Sequence, residues 1–197
     1  MDIIYSDNNI AVCVKPVGVD SEHALPELLK DELGGEFFTV HRLDLNVGGV
    51  IVYARTKKAA AELSRAITDG TMIKEYVAEV HGTPPENGVL EDLLFKDPKK
   101  NKVFVVKRMR GGVKAAKLEY VRLTAGETSI VRIKLHTGRS HQIRVQFASR
   151  GFPLVGDHKY GSRDGQASPM LFSCKLTFPY GGNDVSFEAY PKWIKHQ

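Results

Sequence analysis

The chain has 197 residues, 42% hydrophobic and 26% charged, and its 28 Lys and Arg against 23 Asp and Glu give a formal net charge of +5. That length supports one sizeable hydrophobic core, or at most two small ones, and the composition excludes global disorder. No apolar run approaches the roughly 20 residues of a membrane helix, and the opening MDIIYSDNNI lacks the basic start and apolar stretch of a secretory signal, so a cytoplasmic location is expected.

Residues 1–40 hold two basic residues, Lys15 and Lys30, and eight acidic ones, a net of −6, which leaves +11 for the remainder. Within this acidic start, residues 10–14 read as an apolar strand. Residues 25–33 read as a helix with Pro26 in its first turn and Gly34 and Gly35 as its stop. A second apolar strand follows at 50–53. Thr56 is placed to cap a helix over 57–67, where Ala59, Ala60, Leu63 and Ile67 form one apolar stripe. Further strands are expected at 73–80, 118–123, 130–135 and 185–190, the alternation of Val131, Arg132, Ile133, Lys134 and Leu135 marking a strand with one buried face. A third helix is expected over 140–150, with Ile143 and Phe147 on one face and Gly151 as its stop. Many strands with few, scattered helices indicate an α+β fold around a mixed, mainly antiparallel sheet, in one compact domain over 1–197. Cys13 and Cys174 lie far apart in strand-like contexts, which suits buried reduced thiols.

Three segments combine charge, glycine and aromatics beyond what core packing needs. In the first, His41, Arg42, Leu43 and Asp44 precede Gly48, Gly49 and an apolar strand. A carboxylate kept ionised by a nearby cation can serve as nucleophile or general base; an Arg–Asp pair that merely ties the loop is the alternative. In the second, His136 to Arg144 passes from strand through Gly138 to a helix start, where Arg139, Gln142 and Arg144 could add donors to an anion site. His136, His141 and His158 are read as hydrogen-bonding groups, since no cysteine supports them and no His-Glu-x-x-His pattern occurs, so no metal is expected. In the third, Lys74 and Tyr76 lie on a strand, and a strand tyrosine is by default a packing residue. Separately, residues 96–117 carry nine Lys or Arg against Asp97 alone, interleaved with Val103, Phe104, Val105 and Val106. This stretch is either a solvated face or a basic finger that follows a phosphate backbone, with Lys99, Lys100, Lys102 and Lys107 as its contacts.

Together these segments resemble the RluA-type pseudouridine synthase family over nearly the whole chain. The HRLD motif is matched by His41, Arg42, Leu43 and Asp44, and the GR-x-HQIR motif by Gly138, Arg139, His141, Gln142, Ile143 and Arg144. Gly156, Asp157, Tyr160 and Gly161 match a GD-x-x-YG pattern; Lys15, Pro16, Gly18, Lys74, Tyr76 and Leu171 are weaker supports. The resemblance implies a pseudouridine-synthase-type catalytic domain with a central active-site cleft, which converts uridine in ribosomal or transfer RNA to pseudouridine after flipping the base, with no cofactor. It implies that Asp44 is the catalytic carboxylate, that Tyr76 stacks on the uracil, that Arg144 pairs with Asp44, and that Leu171 packs against the site. His41, Arg42, Arg139, His141 and Gln142 fall in motifs expected to meet the substrate.

The sequence departs from the family pattern at Val47 and Gly48, where Thr-Ser is usual, and at Phe172, where His is usual; Val19, Asp20 and Ser21 also replace the common ending of the Lys-Pro-x-Gly segment. The first motif begins so early that no S4 RNA-binding domain is expected ahead of it, which leaves RNA contact to the catalytic domain, taken to be a monomer without an obligate protein partner. Two rival readings remain: an inactive RNA-binding homologue of the same fold, and a glycosidic hydrolase. The hydrolase would want a second acid, and the only acid close to a motif is Asp157, which reads as a turn residue.

Overall fold

The structure is a computed structural model and describes residues 1–194. The chain divides into two compact units, one formed by Met1–Lys74 with the segment from Phe172 onward, the other by Glu75–Leu171.

In the first unit, β4 (Gly48–Ala54) is the central strand. Its sequence GGVIVYA is apolar throughout and every residue is buried, as befits a strand covered on both faces. It pairs antiparallel with β2 (Ile10–Lys15), which pairs with β1 (Asp2–Ser6), and with the short β3 (Phe38–Thr39). Its other neighbour is β10 (Leu171–Tyr180), parallel through Phe172↔Gly48 and Ser173↔Gly49, and β10 continues antiparallel into β11 (Asn183–Glu188). The sheet is therefore mixed and mainly antiparallel. Helix α2 (Lys57–Thr68) starts where Thr56 Oγ1 accepts from Ala59 N at 3.1 Å, and it buries Ala59, Leu63 and Ala66 against Ile10, Val12, Val50, Val52, Leu176 and Phe178. Helix α1 (Ala24–Leu33) buries Leu25 and Leu29 completely.

In the second unit the strand order is β5 (Ile73–His81), β9 (Thr128–Leu135), β8 (Val113–Arg122), β6 (Asn87–Asp97) and β7 (Lys102–Val106). The longest ladder joins β6 to β8, from Asn87↔Val121 to Phe95↔Val113. Helix α3 (Gln142–Ala148) covers one face, where Val145 packs with Leu94, Val103, Ala116 and Tyr160.

All three expected helices and six expected strands occur. Helix α3 is shorter than the expected 140–150, because Gln142 N bonds Arg139 O at 3.2 Å and His141 takes a left-handed conformation with φ of 50°, so the chain turns before the helix begins. Strands β1, β3, β6, β7 and β10 were not expected as strands. Strand β8 begins at Val113 rather than 118, because its pairing with β6 extends through Lys114, Ala115 and Lys117, whose composition hides the pattern. Cys13 and Cys174 are both buried, and neither is in a disulfide. Among the described residues no helix is long and apolar enough to cross a membrane, and no cluster of three metal-type ligands occurs.

Candidate active site

In the first unit the loop between β3 and β4 carries Asp44, and both of its neighbours are tied through backbone groups. The Ser21 hydroxyl donates to Leu43 O at 3.1 Å and accepts from Leu43 N at 3.3 Å, while Tyr53 Oη donates to Ser21 O at 2.7 Å. On the other side, Leu45 O accepts from Gly18 N at 2.9 Å and from Lys15 Nζ at 3.2 Å. Lys15 Nζ also donates to Val19 O at 2.7 Å and Pro16 O at 3.0 Å, so a fully buried ammonium matches three donors to three carbonyls. The turn closes through Val47 N to Asp44 O at 2.9 Å. Asp44 thus sits, half-buried, on a fixed stretch of backbone.

His41 holds the start of the same loop. Its Nε2 accepts from Val52 N at 3.3 Å, which places the proton on Nδ1, a buried atom without a partner among the described residues. Burial and the nearby Lys74 keep the imidazole neutral, well below its ordinary range. His41 is therefore an anchor of the motif to β4. Arg42 reaches outward, its Nη1 donating to Glu22 Oε2 at 3.1 Å in a pair whose side chains are 50% and 47% exposed. Such a pair contributes little to stability and leaves Arg42 near solvent.

Two of the departures from the family pattern, Gly48 and Phe172, are neighbours. Gly48 is the register partner of Phe172, and a Cβ at Gly48 would stand 3.4 Å from the Phe172 ring and 3.2 Å from Lys15 O. A bulky ring at 172 is matched by the absence of a side chain at 48. At Gly49, with φ of 129°, a Cβ would fall 2.4 Å from Ser173 N and O, so the β4–β10 approach admits only glycine there.

Burial lowers the Lys15 ammonium from its ordinary 10.5 to about 8. The unfolded chain then holds this proton more tightly, so the contribution of Lys15 to stability rises with pH between about 8 and 10.5. Above pH 8 the neutral amine has two donors for three carbonyls, and the Leu45 tie loosens. Urea unfolding across this window should show wild type gaining on a Lys15→Met variant as pH rises. A constant difference would mean that the ammonium keeps its ordinary value.

In the second unit Tyr76 lies buried on β5 and Arg144 buried on α3. Arg144 makes a bidentate pair with Asp157, Nε to Oδ2 at 2.7 Å and Nη2 to Oδ1 at 2.8 Å, with side chains 8% and 0% exposed. Asp157 is a turn residue, as expected, in that Tyr160 N and Ser162 N both bond its carbonyl. Its carboxylate is engaged by Arg144, which removes it as the second acid of a hydrolase. Tyr160 then joins three parts of the unit. Its Oη accepts from Val103 N at 2.8 Å and lies 2.9 Å from His141 Nδ1, while Arg144 Cζ and Lys102 Nζ each lie 5.2 Å from the ring centroid. The basic hairpin, the start of α3 and Arg144 therefore share one tyrosine.

The remaining residues of the second motif build the turn. Gln142 Oε1 accepts from Arg139 N at 3.0 Å and Thr137 Oγ1 at 2.8 Å, and Gln142 Nε2 donates to Lys117 O at 3.1 Å. Gln142 is buried by this, whereas Arg139 is exposed, with its Nε on Ala115 O at 2.9 Å. Leu171 is buried at the end of the second unit. The basic finger is the β6–β7 hairpin. Lys99 and Lys100 form its exposed turn, where Asp97 Oδ1 accepts from both of their backbone N–H groups; Lys102 opens β7, and Lys107 follows it, exposed.

Sequence reasoning passed over Ser21, Tyr53 and the pairing role of Asp157. Only Asp157 carried a signal, as an acid in a motif that also holds Tyr160.

A profile of the RNA pseudouridylate synthase family matches residues 9–149. The dual-specificity RNA pseudouridine synthase RluA of Escherichia coli K12 is 36% identical over 95% of this chain and 91% of its own length. Ribosomal large subunit pseudouridine synthase D of Borreliella burgdorferi is 33% identical over 96% of this chain and 65% of its own. Among solved structures, human RNA pseudouridylate synthase domain containing 1 superposes with a TM-score of 0.87 at 23% identity, covering 98% of this chain and 84% of that one, a likeness of fold. Profile and identity together show that the chain belongs to the RNA pseudouridine synthase family.

Proposed function

We propose that the chain isomerises specific uridines of structured ribosomal or transfer RNA, with Asp44 as the catalytic carboxylate. The C1′–N1 bond breaks, the uracil turns, C1′ joins C5, N1 takes up a proton and C5 loses one. Atoms and charge balance within the nucleotide, so the reaction calls for no cofactor. It asks for a positioned carboxylate, a stacking surface and a pocket that retains the detached base. The observation that carries this reading is the fixation of Asp44 between two carbonyls, Leu43 O held by Ser21 and Leu45 O held by Lys15 and Gly18, in a chain of this family. Tyr76 stacks on the flipped uracil and Arg144 positions Asp44. Residues 1–197 act as a single catalytic domain, in the cytoplasm, as a monomer without an obligate protein partner.

The test is incubation of the purified chain with ribosomal and transfer RNA transcripts, followed by nucleoside analysis. Pseudouridine without free uracil is expected. Release of uracil would indicate a hydrolase, and binding without conversion an inactive homologue.

RNA is gripped by the β6–β7 hairpin. Exchanging Lys99, Lys100, Lys102 and Lys107 for Gln should raise KM and flatten the dependence of log affinity on log salt by roughly 0.7 to 0.9 for each lysine that meets a phosphate. An unchanged KM and slope would reduce the hairpin to a solvated face.

A further inference from the structure

The β6–β7 hairpin offers aromatic surface as well as charge. Val103 and Leu94 are 2% and 3% exposed on the face covered by α3. Side chains alternate along a strand, so Phe104 and Phe95, the next residues along β7 and β6, point to the opposite face. They are register partners, Phe95↔Phe104, and so stand side by side across the ladder. Phe104 is 36% exposed, on the strand that ends the order of this unit. Lys100 Nζ and Lys102 Nζ lie 6.0 and 5.9 Å from its ring centroid, and Arg110 Cζ lies 5.1 Å from that of Phe95.

An exposed aromatic on an edge strand invites unwanted association. A grip that only followed phosphates would need none. Two adjacent rings fringed by three cations fit a ligand that presents a π face and negative charge every few ångströms, which describes unpaired nucleotides; a duplex hides its base faces. We infer that Phe104, with Phe95 beside it, is a stacking platform for unpaired bases of the RNA, held there by Lys100, Lys102 and Arg110 on the neighbouring phosphates. The inference rests on the chain acting on RNA, and it assigns to the hairpin a preference for loops or single-stranded flanks of the target.

The test uses the full chain carrying Asp44→Asn, so that no turnover intervenes, and two fluorescent probes: a single-stranded RNA of about 12 nucleotides and a blunt RNA duplex of the same length. Phe104→Ala should weaken single-strand binding about 5- to 10-fold with an unchanged salt slope, and duplex binding by less than about twofold; Phe104→Trp should restore it. Because Phe104 is partly exposed, thermal melts should confirm an intact fold. Equal weakening of both probes, no weakening, or failure of Trp to rescue would overturn the platform. Pseudouridine formation by the chain with Asp44 intact is measured separately. Conversion with a neutral Phe104→Ala sinks the platform alone, whereas Phe104-dependent binding without any conversion sinks the enzymatic reading and keeps the platform.

Discussion

Asp44→Asn is expected to lower pseudouridine formation by about 10⁴-fold or more, while leaving thermal stability and RNA affinity close to wild type. The exchange is isosteric, and the ties on either side of Asp44 run through groups it does not alter: Leu43 and Leu45 to Ser21, Gly18 and Lys15, and Val47 N to the Asp44 carbonyl. What it removes is the charge and basicity of one carboxylate. The measurement is a comparison of pseudouridine maps of total RNA from cells carrying either form. A position lost with Asn names the substrate and the modified uridine. If no position is lost in any RNA, or if the variant unfolds, the carboxylate is serving the loop and the enzymatic reading fails.

The loop was legible in the sequence in one respect and closed in another. HRLD before an apolar strand singled out Asp44 as the candidate carboxylate, and the unbroken run of β4 marked the strand that anchors its loop, because a strand buried on both faces has no polar residues to blur it. The ties themselves were invisible. Lys15 looks like any lysine near an N-terminus, and only the fold brings its ammonium to the carbonyl of Leu45, 30 residues away. The same holds for Gly48 and Phe172. Each departs from the family pattern separately in the sequence, and only the parallel β4–β10 register makes them one exchange of volume. Strands β6 and β7 escaped notice because Glu91, Asp92, Lys96 and Lys102 interrupt their apolar residues, so charge masked the alternation that Leu90, Leu94 and Val103 keep on the buried face.

The second large effect is expected at the Arg144–Asp157 pair. Its side chains are 8% and 0% exposed, so Asp157→Ala leaves a guanidinium buried without its bidentate partner, and removal of one member of such a pair costs about 3 to 5 kcal/mol. For a chain of this size that corresponds to a fall in Tm of about 10 °C. Arg144→Ala carries a similar penalty and should reduce activity nearly as much as Asp44→Ala. A loss of stability alone would explain both results, so the decisive variant is the apolar double exchange, Arg144→Met with Asp157→Leu. Replacing a whole buried ion pair by packed apolar groups is often neutral or favourable, so this protein should melt near wild type. If Arg144 positions Asp44, the double variant remains inactive although folded, and Arg144→Lys recovers only part of kcat because an ammonium lacks the planar fork. If the double variant folds and turns over normally, the pair is a packing device and the positioning role passes to other residues of the motif.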